Sequence, residues 1–460
     1  MTVAFRALLV SSSLSGPAVD RTLVSVAGLT VAVAAFLVLR RMPRTAVGVW
    51  IGVLCFVPIW IGLGIGFNGN YYLPAVTGMA LLATVALLPA HGYRFGMMDG
   101  LVALLIVFAI ASLLTENAGI ALGFAFSLGT YFVAGYVFGR VAGLRVDPAW
   151  IYGAVAIAFS IVSVLAIIEF FGGWNPFVTI KAGNSMYAIW GTIQERGGVA
   201  RAEGAFGHSI ALGSSLAIAI PLTLAARFPL LLRAAMVLLM LFATVLTFSR
   251  IGMIGALLGL FLSILFMRDA ISRRARIVLT SAIVVVSLLV FPLVTTVFDD
   301  AGSEASGSAD YRGDLLSLIG SMNVVGVADS ARKDSTGQVY FGDFRSIDSQ
   351  LILTGLSSGV IALLLVVAAL VAGIVLVISR RATPATIAVV AQIPALATVA
   401  LITQYSVFLW VAIGLAATTQ HFRPSVAAGT LLVSQHHRRQ EVPAGLPAAV
   451  PVPSRERSAR

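Results

Sequence analysis

Long apolar runs separated by short polar clusters dominate this chain. They fall near residues 22–39, 46–66, 71–89, 99–115, 118–139 and 150–171, then 209–226, 229–247, 251–267 and 277–297, and finally 350–379, 384–402 and 404–422. A helix needs about 20 mostly apolar residues to cross roughly 30 Å of hydrocarbon, so the pattern predicts an all-α polytopic transmembrane helix bundle of about 12 to 14 spans. Two polar stretches, 172–208 and 298–349, are far longer than the connections that usually join packed helices. The second opens with Gly302, Ser303, Ser306, Gly307 and Ser308, a flexible composition, and is expected to become ordered from Asp310 to Ile319. Three regions follow: a membrane bundle with the first long loop over 1–200, a second membrane region with the other loop over 201–422, and a tail over 423–460. The tail mixes His436, His437, Arg438 and Arg439 with repeated Pro and Ala, so no fold is expected there.

Composition and charge sharpen this picture. Apolar residues make up 59% of the chain and charged residues 11%, which excludes an ordinary soluble globular protein. The formal net charge of +11 does not point to nucleic acid, because the basic residues lie in small clusters between apolar runs and form no single stripe. With alternate loops placed inside, Arg40, Arg41 and Arg44, Arg94, Arg140 and Arg145, Arg227 and Arg233, Arg268 to Arg276, Arg380 and Arg381, and Arg423 all fall on one side. That side is cytoplasmic, so the carboxyl tail is inside and both long loops are outside. The single cysteine, Cys55, lies in an apolar run and offers neither an intramolecular disulfide nor a thiolate metal site.

Five arginines break the charge rule: Arg196, Arg201, Arg250, Arg312 and Arg345 belong to the outer side. Arg250, in LTFSRIGMIGALLGLF, interrupts two apolar runs, and its alternatives are an anion partner or a side chain snorkelling to headgroups. Arg201, Glu203 and His208 stand together in RAEGAFGHSIALG. Either Arg201 offers its planar fork of donors to a phosphate, with Gly204 and Gly207 allowing close backbone approach, or Arg201 and Glu203 simply pair in a turn. Arg312, Arg345 and Asp348 lie near apolar flanks of the second loop, where Asp348 could equally be a residue favoured at a helix N-terminus.

The segment at 201–213, TFSR at 247–250, and the charged outer loop ending in FRSIDSQLILTGLSSG at 344–359 together resemble the O-antigen ligase and polymerase family in order and spacing. The resemblance covers about residues 196–375. It implies a membrane glycosyltransferase of the bacterial plasma membrane that moves glycan from a polyprenyl pyrophosphate-linked donor to a glycan or lipid acceptor, with no nucleotide sugar, metal or other cofactor. Membrane lipids and polysaccharide-assembly proteins are its implied partners. Outer-face arginines of that family hold the donor pyrophosphate, which by motif position points to Arg201, Arg250 and Arg312, with Arg345 in support. Two departures matter. His208 is followed by Ser209 and Ile210 where the family often has Pro-Asn, and no histidine lies between His208 and His421, whereas ligases carry a catalytic one near the end of the second loop. Polymerisation is therefore expected over ligation. Asp348, His208 and Glu203 are the candidate bases. A lipid-linked oligosaccharide flippase or polysaccharide transporter is the alternative, weakened because the apolar runs hold few acids, chiefly Glu169.

Overall fold

The computed structural model describes residues 30, 33–66, 70–115, 117–267, 276–277, 280–281, 311, 313–334 and 339–421. The span expected at 277–297 falls almost wholly outside these residues. The flexible opening of the second loop and the tail beyond 421 lie outside them entirely. The described residues up to Gln420 form one compact unit.

Fifteen α-helices have described bounds. Among the described residues, four helical stretches are long and apolar enough to cross a membrane. The first, Met97–Leu114, is α3 (Met97–Ala111) with a 3-10 turn. The second, Ala118–Arg145, is α4 (Ala118–Ser127) running through a π-helical stretch into α5 (Ala134–Arg145). The others are α6 (Pro148–Gly172) and α12 (Val360–Ile378). Shorter apolar helices accompany them: α1 (Pro43–Phe56), α2 (Ala75–Leu87), α8 (Ser209–Ala225), α9 (Leu230–Leu246) and α10 (Arg250–Phe266).

Three expected spans are interrupted. The run near 46–66 stops as helix at Phe56, and a hairpin follows, with β1 (Gly62–Gly66) paired antiparallel to β2 (Asn70–Pro74). Pro58 denies the helix a backbone donor, and Gly62, Gly64 and Gly66 weaken it further, yet Leu63 and Ile65 keep the hydropathy high. The run at 350–379 breaks at Gly359, whose φ of 97° few other residues adopt, into α11 (Gln350–Ser358) and α12. The run at 384–402 is α13 (Pro384–Val390) and α14 (Ile393–Thr398), with Pro394 in the first turn of α14. Extended backbone then leads to α15 (Thr403–His421).

The core is built around α8, of which every residue from Ala211 to Leu224 is buried. It packs against α6, α9, α10 and α13. Close approach to α10 depends on paired glycines: a Cβ on Gly252 would lie 3.0 Å from the Gly213 backbone. A second apolar cluster stands apart from this core. In it Leu315, Leu318, Val327, Ala328, Phe341 and Ile347 of the second loop gather over Ala121 of α4 and Leu356 of α11.

Arg140, grouped above with the charges that set orientation, is an interior residue. Its side chain is 2% exposed and pairs at 2.9 Å with Asp99, itself 3% exposed. Tyr93 and Tyr136 hydroxyls each donate to Asp99 at 2.7 Å, and Arg140 also donates to the Arg94 carbonyl and to Thr418 of α15. Nearby loops are joined by the exposed pair of Asp147 and Arg227.

A cationic, carboxylate-lined candidate site

The opposite end of the core gathers the end of α6, the start of α8, the end of α9 and the start of α10. Local sequence explains why. Gly173 takes φ 62° and closes α6, and a hairpin, β3 (Glu195–Arg196) with β4 (Val199–Ala200), turns through Gly197 and Gly198, both at positive φ. The chain then runs past Arg201 into a 3-10 turn at Gly204–Phe206, closed by Gly207 at φ 64°. A Cβ on Gly207 would lie 2.9 Å from the Trp190 carbonyl and from the Trp60 ring, so this glycine serves internal packing.

Glu169 holds that turn in place. Its carboxylate accepts from the backbone N–H of Glu203 at 3.0 Å and of Gly204 at 2.8 Å, and from the Asn175 amide at 2.8 Å. An acid near a span end is thus stabilised by backbone donors that sequence reading could not pair with it.

Glu203 is fully buried. One carboxyl oxygen accepts from the Gln194 backbone N–H at 3.0 Å, and the other, also buried, has no hydrogen-bond partner among the described residues. Burial, with the negative charge of Glu169 adding to it, pushes its pKa up to about 7, against the opposing effects of the Gln194 N–H and Arg201. The carboxyl therefore exchanges its proton near neutrality.

His208 caps α8. Its Nδ1 accepts from the Ile210 backbone N–H at 3.1 Å, and its ring meets Trp190 edge-on with centroids 5.7 Å apart. Trp190 ends the short helix α7 (Ser185–Trp190). Burial, then the Arg201 charge, lowers the histidine pKa to about 4. The ring is neutral at pH 7, and with Nδ1 accepting, its proton sits on Nε2. In this form the Nδ1 lone pair is taken by the Ile210 amide and Nε2 is a donor.

The arginines meet at the reversal between α9 and α10. Phe248 takes φ 45°, rare for an aromatic residue, while Ser249 caps α10 by accepting from the Gly252 N–H. Arg201 donates through Nε to the Thr247 carbonyl at 2.9 Å and through Nη2 to the Phe248 carbonyl at 3.5 Å. Arg196 donates to the same Phe248 carbonyl at 3.2 Å. Arg250, exposed, is the first residue of α10, where the positive end of the helix dipole already favours an anion. Arg196, Arg201 and Arg250 therefore gather at one reversal, which Arg201 links to the turn carrying His208 and the buried Glu203. Arg196 was visible as an outer arginine but had no motif to mark it as part of the site.

Asp348 and Arg345 are exposed, and Asp348 accepts from the Ser346 hydroxyl at 3.0 Å, beside the apolar cluster over α4. Gln350 accepts from the Leu401 N–H, and three residues on, Gln404 donates to the Ala205 carbonyl in the turn after Glu203. Arg312 lies outside the described residues. No family model matches this sequence, and a search of curated proteins finds no match.

Proposed function

We propose that this chain is a polytopic membrane glycosyltransferase of the bacterial plasma membrane, acting at its outer face on a polyprenyl pyrophosphate-linked glycan and joining it to a glycan or lipid acceptor. Polymerisation is the favoured outcome. The observation that carries this reading is the convergence of Arg196, Arg201 and Arg250 on the α9–α10 reversal, within one neighbourhood of a buried carboxyl poised near pH 7. Fixed cations would stabilise pyrophosphate as it leaves with the bonding electron pair from the anomeric carbon. Glu203, deprotonated, would accept the proton of the acceptor hydroxyl as its oxygen bonds to that carbon. Asp348 is the alternative base and Arg345 a supporting cation, both exposed on the second loop.

A flippase draws support from a different observation, the broken helices α13 and α14 and the extended stretch before α15, since interrupted helices line many transport pathways. One experiment separates the two. Purified protein in lipid is given a polyprenyl pyrophosphate-linked oligosaccharide, and longer glycan products are sought in wild type, Arg201→Ala and Arg250→Ala. Products made by wild type and reduced at least about a hundredfold in both variants support the proposal. Products unaffected by either change reject the arginine site, and donor crossing the bilayer without joining favours the flippase.

A further inference from the structure

We infer that Trp190 and His208 form a pyranose-binding subsite beside the arginine cluster, with the indole stacking on a sugar ring and the imidazole donating a hydrogen bond to one of its oxygens. This deepens the glycosyl-transfer reading and rests on it. Three features support it. Trp190 is only half-buried, although it packs in the loop wall above Gly207, so part of a large aromatic surface remains open. Sugar rings present C–H groups carrying partial positive charge, and the electron-rich face of an indole is complementary to them. His208 is locked as a donor, because the α8 N-terminal amide occupies Nδ1 and leaves Nε2–H for a ligand. A neutral donor suits a neutral sugar oxygen, while the nearby arginines suit phosphate.

Placement is consistent with the chemistry. The Ser209 hydroxyl donates to the Gln194 side chain, and the Gln194 backbone binds both Glu203 and Arg201. Trp190 and His208 thus border the same loop segment that orders the carboxyl and one of the arginines. A sugar over this pair would lie next to a pyrophosphate held at the α9–α10 reversal.

The test measures binding of free monosaccharides and disaccharides, namely glucose, galactose, mannose, N-acetylglucosamine, rhamnose and maltose, to the purified full chain in detergent by calorimetry. Inorganic pyrophosphate binding is measured in parallel. Trp190→Ala is expected to weaken saccharide binding about tenfold, and Trp190→Phe less. His208→Asp keeps an acceptor for the α8 amide but loses the donor, and should weaken it similarly; His208→Asn keeps both and should recover most of it. Pyrophosphate affinity should stay unchanged in the Trp190 variants and fall in Arg201→Ala. Saccharide binding indifferent to these changes, or absent for every sugar while wild type remains folded by size exclusion, overturns the subsite. Pyrophosphate binding in that second case leaves the arginine reading standing, whereas sugar binding without pyrophosphate binding leaves only the subsite.

Discussion

Among single residues, Glu203 bears the sharpest expectation. If it is the base, transfer should rise as pH increases through about 7 and level off above, and Glu203→Gln should abolish that limb together with most of the rate. Stability should move the opposite way. A carboxyl whose folded pKa is raised from 4.5 to about 7 favours the fold while protonated, and that contribution is lost as pH climbs through about 7. Relative to wild type, the melting temperature of Glu203→Gln should therefore gain with each step from about pH 5 to about 8, as a thermal shift series would read. Arg201 and Arg250 were legible in the sequence because they violate the charge rule that the other arginines obey. Arg140 was not, since it obeys that rule while being buried on Asp99. Glu169 was hidden for a different reason: its partners are main-chain amides 34 and 35 residues further on.

Between elements, the buried pair of Asp99 and Arg140 ties α3 to α5 and reaches α15 through Thr418. Removing one partner leaves a buried charge, so Asp99→Asn or Arg140→Met should cost about 3 to 5 kcal/mol, whereas replacing both with apolar residues should cost less. Thermal unfolding in detergent would compare the three. Close contact of α5 with α15 adds a second check. A Cβ at Gly139 would collide with the Val411 carbonyl and one at Gly414 with that of Tyr136, so alanine at either position should separate these helices and lower the melting temperature. Helical character followed from hydropathy, but helix ends did not. The β1–β2 hairpin takes residues from the ends of two expected spans, and the break at Gly359 sits within a third, where backbone geometry, invisible to hydropathy, decides it.

For the whole molecule, the two ends of the core differ in kind: one carries the arginine cluster over buried Glu169 and Glu203, the other the buried Asp99–Arg140 pair and the Asp147–Arg227 contact. Outer-face transfer requires the first end to face away from the cytoplasm. Cys55 is buried and is the one cysteine in the chain, so introduced cysteines can be read against a quiet background. Ala200→Cys should react with a membrane-impermeant maleimide on intact cells, and Arg227→Cys only after permeabilisation. The reverse result would place the arginine cluster inside and remove the outer-face reading altogether.

The grip of Glu169 on the turn bearing Glu203 has a further effect. With 25 residues, α6 is roughly 37 Å long at 1.5 Å per residue, more than the roughly 30 Å of a typical hydrocarbon layer. Such a helix relieves mismatch by tilting, and its tilt changes with acyl-chain length. Because the carboxylate near its C-terminal end is bonded directly to the Glu203 and Gly204 amides, a change of tilt is passed to the turn that holds the buried carboxyl. Bilayer thickness would then act as a control on turnover, giving an optimum among lipids of graded chain length.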